Sequence, residues 1–258
     1  MQRYKITIEY DGRPYFGWQR QDGQPSVQQA LEEAAAVLDD APVLMQGAGR
    51  TDRGVHATGQ VAHFDLVKPR PIRKIADALN FHLRPEAVAV LKAEEVDADW
   101  SARFNATLRA YRYVIINRRA HLTVDKGLAW RVPFQLDAGA MDRAAKALIG
   151  QHDFSTFRDA ECQAKHPIRT LDKINVARYG EGIEVTVEAK SFLHRQVRSI
   201  VGSLVEVGRG QQNEDWIAAI LEARDRTACG PVAPPDGLFL ERVEYGEGGL
   251  GSNSVQLS

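Results

Sequence analysis

The sequence predicts an α+β protein made of two related domains with mostly antiparallel sheets. Three observations carry that prediction. Strand and helix periods follow one another as βαββαβ over the first hundred residues. After Trp100 the pattern returns as βαββααβ. Turn signals such as Asp11-Gly12 and Tyr179-Gly180-Glu181-Gly182 separate the elements. The order βαββαβ is the split-βαβ, ferredoxin-like arrangement. The expected division lies near residue 105, giving domains over 1–105 and 106–245 and a Gly/Ser-rich, disordered tail over 246–258.

Each element has its own signature. Residues 4–10 alternate as a strand and stop at Asp11-Gly12. Pro25-Ser26 opens a helix through Leu38, with Ser26 as N-cap and Val27, Ala30, Leu31, Ala34 and Leu38 as its apolar stripe. A strand over 43–46 follows, and another over 60–66, where Val61, His63 and Asp65 alternate with Ala62, Phe64 and Leu66. The spacing of Ile72, Ile75, Ala76 and Leu79 predicts a helix over 71–83, and 87–96 returns as a strand. In the second half, strands are expected over 108–117, 171–178, 182–189 and 237–245. Helices are expected over 137–149, capped by Asp137, and over 192–207 and 213–223.

Bulk properties narrow the class. The 258 residues are long enough to bury a sizeable core, and 44% hydrophobic with 26% charged residues is ordinary for a globular protein. Apolar runs such as Val114-Ile115-Ile116 are too short to cross a bilayer. The N-terminus leads into strand alternation and carries no signal-peptide apolar block. Two cysteines, Cys162 and Cys229, argue against a disulfide framework, so a cytoplasmic protein is expected. Net charge is -1, but Arg103, Arg109, Arg112, Arg118 and Arg119 occur without an intervening acid. Acids gather instead at Glu94, Glu95, Asp97 and Asp99, and at Glu241, Glu244 and Glu247. Such segregation fits a local phosphate-attracting face, and equally a solvated edge strand.

The chemistry concentrates at Gly47-Ala48-Gly49-Arg50-Thr51-Asp52-Arg53-Gly54-Val55-His56-Ala57. One carboxylate, Asp52, stands between two arginines on a glycine-bounded loop. Arg50 and Arg53 would favour its charged form, and a carboxylate held at a fixed point can act as nucleophile or base. A plain turn, with Asp52 bonded to backbone amides, is the structural alternative. The dinucleotide fingerprint fails because Asp52 fills its sixth position, and the phosphate-loop pattern fails at Val55-His56. Cys162 and His166 lack a second pair at zinc spacing, and His56 and His63 read as structural or hydrogen-bonding residues. No cofactor and no metal are indicated. Strand alternation puts Arg109, Tyr111, Tyr113 and Ile115 on one face, a combination that could stack a nucleobase or simply pack. Arg195 and Arg198, three apart, are expected to share a helix face.

Taken together, these segments resemble the tRNA pseudouridine synthase A family. The matching residues are Tyr10-Asp11-Gly12 with Tyr15-Phe16-Gly17-Trp18-Gln19, and Gly49-Arg50-Thr51-Asp52-Arg53-Gly54-Val55-His56-Ala57. Further along come Tyr111-Arg112-Tyr113, Arg169-Thr170, Phe192-Leu193 with Val197-Arg198 and Val201-Gly202, and Gly237-Leu238 with Leu240. The resemblance implies conversion of uridine to pseudouridine in the anticodon stem-loop of tRNA, typically at positions 38, 39 and 40. It also implies two related domains around a basic cleft, a homodimer, and neither cofactor nor metal. By that analogy Asp52 is catalytic, Tyr111 contacts the target base, Arg50 helps to hold the flipped nucleotide, and Arg198 pairs with Asp52. Isomerisation needs no redox partner, which agrees. Two rivals stand beside this reading: a non-catalytic RNA-binding module on the same fold, and a small-molecule hydrolase using Asp52 as nucleophile.

Overall fold

The computed structural model describes residues 1–39 and 41–246, so the expected tail lies, Gly246 apart, outside the described residues. The fold is α+β and its sheets are mostly antiparallel. The chain divides into two compact units, among the described residues one formed by Met1–Thr107 with residues 242–246, the other by Leu108–Glu241.

The first unit follows the expected order: β1 (Gln2–Tyr10), α1 (Val27–Asp39), β2 (Met45–Gly47), β3 (His56–Leu66), α2 (Ile72–His82) and β4 (Val88–Val96). β1 lies between β4 and β3, antiparallel to both, with Ile6 opposite Ala62 on one side and Ala93 on the other. Its alternation is real: Tyr4, Ile6, Ile8 and Tyr10 are buried. β3 is different, because residues on both of its faces are buried, and it begins at His56, four residues before its alternating segment. Ser26 caps α1 as its pattern predicts, its Oγ accepting the Gln29 amide at 3.2 Å. α1 sets Val27, Leu31, Ala34 and Ala35 into the core, while α2 contributes Ile75 and Leu79. A second cluster gathers Ala48, Val61, Val96, Trp100 and Ala102, with Val243 and Tyr245 packed against it. Apolar side chains left in water would cost about 25 cal/mol per Å², so this packing supplies most of the unit's cohesion.

The second unit holds most of β5 (Ala106–Ile116), then β6 (Trp130–Arg131), α3 (Ala138–Ala145), β7 (Gly150–Asp153), β8 (Ile168–Tyr179) and β9 (Gly182–Ala189). Two helices follow, α4 (Gln196–Gly208) and α5 (Trp216–Ala223), and then β10 (Leu238–Tyr245), whose last residues belong to the first unit. β5, β9, β8 and β7 pair in that order, all antiparallel, and β6 pairs in parallel with the end of β5. Asp137 caps α3 by accepting the Ala140 amide at 2.9 Å, as the sequence predicts. β6 and β7 were not expected. Strands of two and four residues carry too few alternations to register in a periodicity. The helix expected over 137–149 tightens after Ala145 into a 3₁₀ turn, and the one expected from Asn213 begins at Trp216.

One partly buried ion pair offers a test of the first unit. Arg3 grips Asp65 through two 2.8 Å hydrogen bonds, which hold the Asp65 carboxyl below the usual carboxylate range. A carboxyl lowered by folding stabilises above its unfolded value, ordinarily about 3.9, and that stability is lost as pH falls through the lowered folded value. Asp65→Asn should therefore cost about 1–2 kcal/mol in urea unfolding near neutral pH. The deficit should shrink below about pH 4. An equal deficit at both ends of that range would remove the ion pair from the account.

Candidate functional site

Asp52 sits on the connection between β2 and β3, and the sequence anchors that connection from both sides. Ala48 N–H bonds Val61 O at 2.7 Å, extending the pairing of the two strands by one residue. Gln60, fully buried, donates from Nε2 to Gly49 O at 2.9 Å. Thr51 Oγ1 shares a buried 2.8 Å hydrogen bond with the Tyr10 hydroxyl, and Thr51 O accepts the Trp18 amide at 3.0 Å. Burial raises the Tyr10 hydroxyl to about 12, so it stays protonated and able to donate. The turn closes where Val55 N–H bonds Asp52 O at 3.1 Å, with Gly54 at φ +77°, a conformation that glycine adopts without strain. Thr51 is 7% exposed and Val55 1%, while Asp52 between them is half-buried and Arg50 and Arg53 are exposed. The loop is therefore pinned by its neighbours and offers the Asp52 side chain.

The segment from Tyr10 to Trp18 backs this loop. Gly17 has φ +101°, and a Cβ there would meet Thr51 O at 2.7 Å, so only glycine allows so close an approach. Asp11 is met by Arg13. Burial works against its ionisation, but the Arg13 hydrogen bonds outweigh this and keep its carboxyl below the usual range. His56 Nδ1 accepts the Gly12 amide and His63 Nδ1 accepts the Ala102 amide, each at 3.1 Å, the hydrogen-bonding roles read from sequence. Tyr10, Gln60 and Trp18 went unrecognised as supports of the loop. Tyr10 and Trp18 lie tens of residues from Thr51 and Gln60 lies a strand away from Gly49, and no local pattern joins them.

In the second unit, Tyr111 lies on β5 opposite Val187 of β9. It is 9% exposed, and its ring meets Phe192 edge-on at 5.1 Å. Tyr113, on the same face, is fully buried, donates to Pro234 O at 2.7 Å, and has its hydroxyl raised by burial. Arg109 on that face is buried and bonds Lys190 O, so the face packs in the core. Arg112, on the opposite face, lies 3.3 Å from Glu241 and 3.7 Å from Glu184, and Arg118 pairs with Glu181 at 3.1 Å. Two arginines of the acid-free run, Arg112 and Arg118, are thus answered by carboxylates from elsewhere in the fold.

Arg198 stands in the first turn of α4, its Nε donating to Ala233 O at 2.8 Å while its own carbonyl accepts the Ala233 amide. The expected helix from Phe192 is corrected here, since α4 begins at Gln196. Arg195 precedes it in the left-handed region at φ +57°, and its Nη1 donates to Asp159 Oδ2 at 2.9 Å. Arg195 and Arg198 therefore share no helix face. An apolar period cannot distinguish a helical turn from a turn held by a long-range ion pair. Asp159, Glu161 and His194 have ligating atoms within 4.8 Å of one another, the one such group among the described residues. The Arg195 guanidinium already supplies positive charge there. Asp52 and Arg50 thus belong to one loop of the first unit, and Tyr111 and Arg198 to the second.

These features can be set beside known proteins. The family model described as tRNA pseudouridine synthase matches residues 6–105 and 144–246. The chain is similar to a tRNA pseudouridine synthase A of Hyphomonas neptunium, 63% identical over 96% of this chain and 100% of that protein. It is 60% identical to the tRNA pseudouridine synthase A of Maricaulis maris over 95% of this chain and 98% of the other. With that of Rhodopseudomonas palustris the identity is 58%, covering 95% of this chain and all of the relative. With a match of this extent over both units, the chain belongs to the tRNA pseudouridine synthase family.

Proposed function

We propose that this tRNA pseudouridine synthase isomerises uridines of the anticodon stem-loop, at positions 38, 39 and 40, with Asp52 as its catalytic carboxylate. The observation that carries the reading is the Asp52 loop, a half-buried carboxylate on a turn whose backbone is held by the buried residues Thr51 and Val55. Pre-positioning of a reactive group removes the entropy cost of bringing it to the reacting atom.

As an isomerase the enzyme must break the bond from the ribose C1′ to N1 of uracil, turn the base, and join C5 to the same carbon, expelling the C5 hydrogen. Nothing is oxidised or carried in from outside, so the required groups are a carboxylate and a means of holding the nucleotide. Asp52 can attack covalently or take a sugar proton to form a glycal, and its geometry serves either. The target uridine leaves the helix stack at a cost of a few kcal/mol. Contact with Tyr111 can return roughly 1–3 kcal/mol of that. Arg50 and Arg198 complete the set, Arg50 on the flipped nucleotide and Arg198 as the partner of the Asp52 carboxylate.

The proposal extends to architecture and setting. It takes the two halves, 1–105 and 106–245, as ferredoxin-like domains flanking a basic cleft, in a homodimer that works in the cytoplasm. The β4, β1, β3 pairing with β2 on β3 supports the first of these domains. No helix among the described residues is long and apolar enough to cross a membrane.

Three substitutions test the assignment. Asp52→Ala should lower tritium release from tRNA carrying 5-tritiated uridine by at least about a thousandfold while tRNA binding stays within about threefold. Ready release by a folded Asp52→Ala protein would overturn the catalytic role. Tyr111→Ala should lower kcat/KM by roughly a hundredfold. Tyr113→Phe, which removes the bond to Pro234, should instead cost about 1–2 kcal/mol of stability with little change in rate. The opposite pattern would exchange the two roles. Arg198→Ala should lower kcat by about ten- to a hundredfold, and a fully active variant would exclude the pairing.

A further inference from the structure

We infer that Arg53, laid against Phe16, is a contact for a backbone phosphate of the RNA strand beside the target uridine. This rests on the isomerase reading of the Asp52 loop. The Arg53 guanidinium carbon lies 4.0 Å from the centre of the Phe16 ring, a stacking distance. The fold builds this pair deliberately: Phe16 N–H bonds Pro25 O at 2.8 Å, Trp18 N–H bonds Thr51 O at 3.0 Å, and the Gly17 backbone passes against Thr51 and Arg53. Arg53 is exposed, and no carboxylate among the described residues pairs with it. Nearby arginines are engaged otherwise, Arg13 with Asp11 and Arg20 with Glu32.

Stacking uses the face of a guanidinium and leaves its rim of N–H donors in the open. Those donors form the planar fork that matches a phosphate. The ring also limits the rotamers of the side chain, so less entropy is lost on binding. Location completes the case. The reaction occurs at a sugar carbon, so Asp52 must approach the sugar–phosphate backbone, and the exposed Arg53 is the next residue along the chain. A flipped nucleotide is held chiefly through its flanking phosphates, which carry register without reading sequence.

The test measures tRNA binding against salt, together with tritium release, for the full-length wild type, Arg53→Ala and Arg53→Lys. Removing one phosphate contact should flatten the dependence of log Kd on log salt by about 0.7–0.9. Arg53→Ala should show that flattening and raise KM about tenfold with kcat within about twofold, a division that general loosening of the loop would not produce. Arg53→Lys keeps the charge and should keep the wild-type slope. An unchanged slope in Arg53→Ala would overturn the inference, and so would a slope in Arg53→Lys as flat as that of Arg53→Ala. Wild-type protein that binds tRNA but releases no tritium would defeat the isomerase reading alone, since the slopes report the phosphate contact without turnover.

Discussion

The buried hydrogen bond between Tyr10 and Thr51 is the constraint on which the first unit's chemistry depends. It joins the end of the central strand to the loop that carries Asp52, and both partners are shielded from water. Breaking it would leave a buried hydroxyl unsatisfied, at about 1–3 kcal/mol. Gln60 on Gly49 and Trp18 on Thr51 act in the same direction. Together they hold the backbone on the N-terminal side of Asp52, and the Asp52–Val55 turn holds the other side. A short loop fixed in this way keeps a carboxylate in place without burying it, which is what a reacting group requires.

The second unit reaches a similar end by a different route. α4 is buried along nearly its whole length, so its position is set by packing. Its start is set by polar contacts: Gln196 Oε1 accepts the Leu193 amide, and Asp159 holds Arg195 in a left-handed conformation. Such a conformation costs of order 1–3 kcal/mol in a residue with a side chain, and the ion pair offsets part of it. The turn joins Phe192, whose ring abuts Tyr111, to the helix that presents Arg198. Strain of this kind gathers where a fold must aim particular side chains.

Several arginines of this protein are taken up by ion pairs. Arg3, Arg20, Arg112, Arg118 and Arg143 each face a carboxylate distant in sequence. A neutral protein that must bind a polyanion does so with cations that such pairs do not take up. Arg53, laid on an aromatic ring, is one of these.

The sequence by itself determined the α+β class, the order of the first unit's elements, the caps at Ser26 and Asp137, and the loop bearing Asp52. Each of these is written in residues close together: a period of two or of 3.6, a capping side chain, glycines around one carboxylate. Tertiary structure alone decided the start of α4, the short strands β6 and β7, the fate of the arginine run and the buried supports of the Asp52 loop. Those features depend on partners from about ten to more than a hundred residues away, such as Asp159 for Arg195, Glu241 for Arg112 and Tyr10 for Thr51. Nothing in a local window records which distant group will meet a side chain, because only the closed fold brings the two within hydrogen-bonding distance.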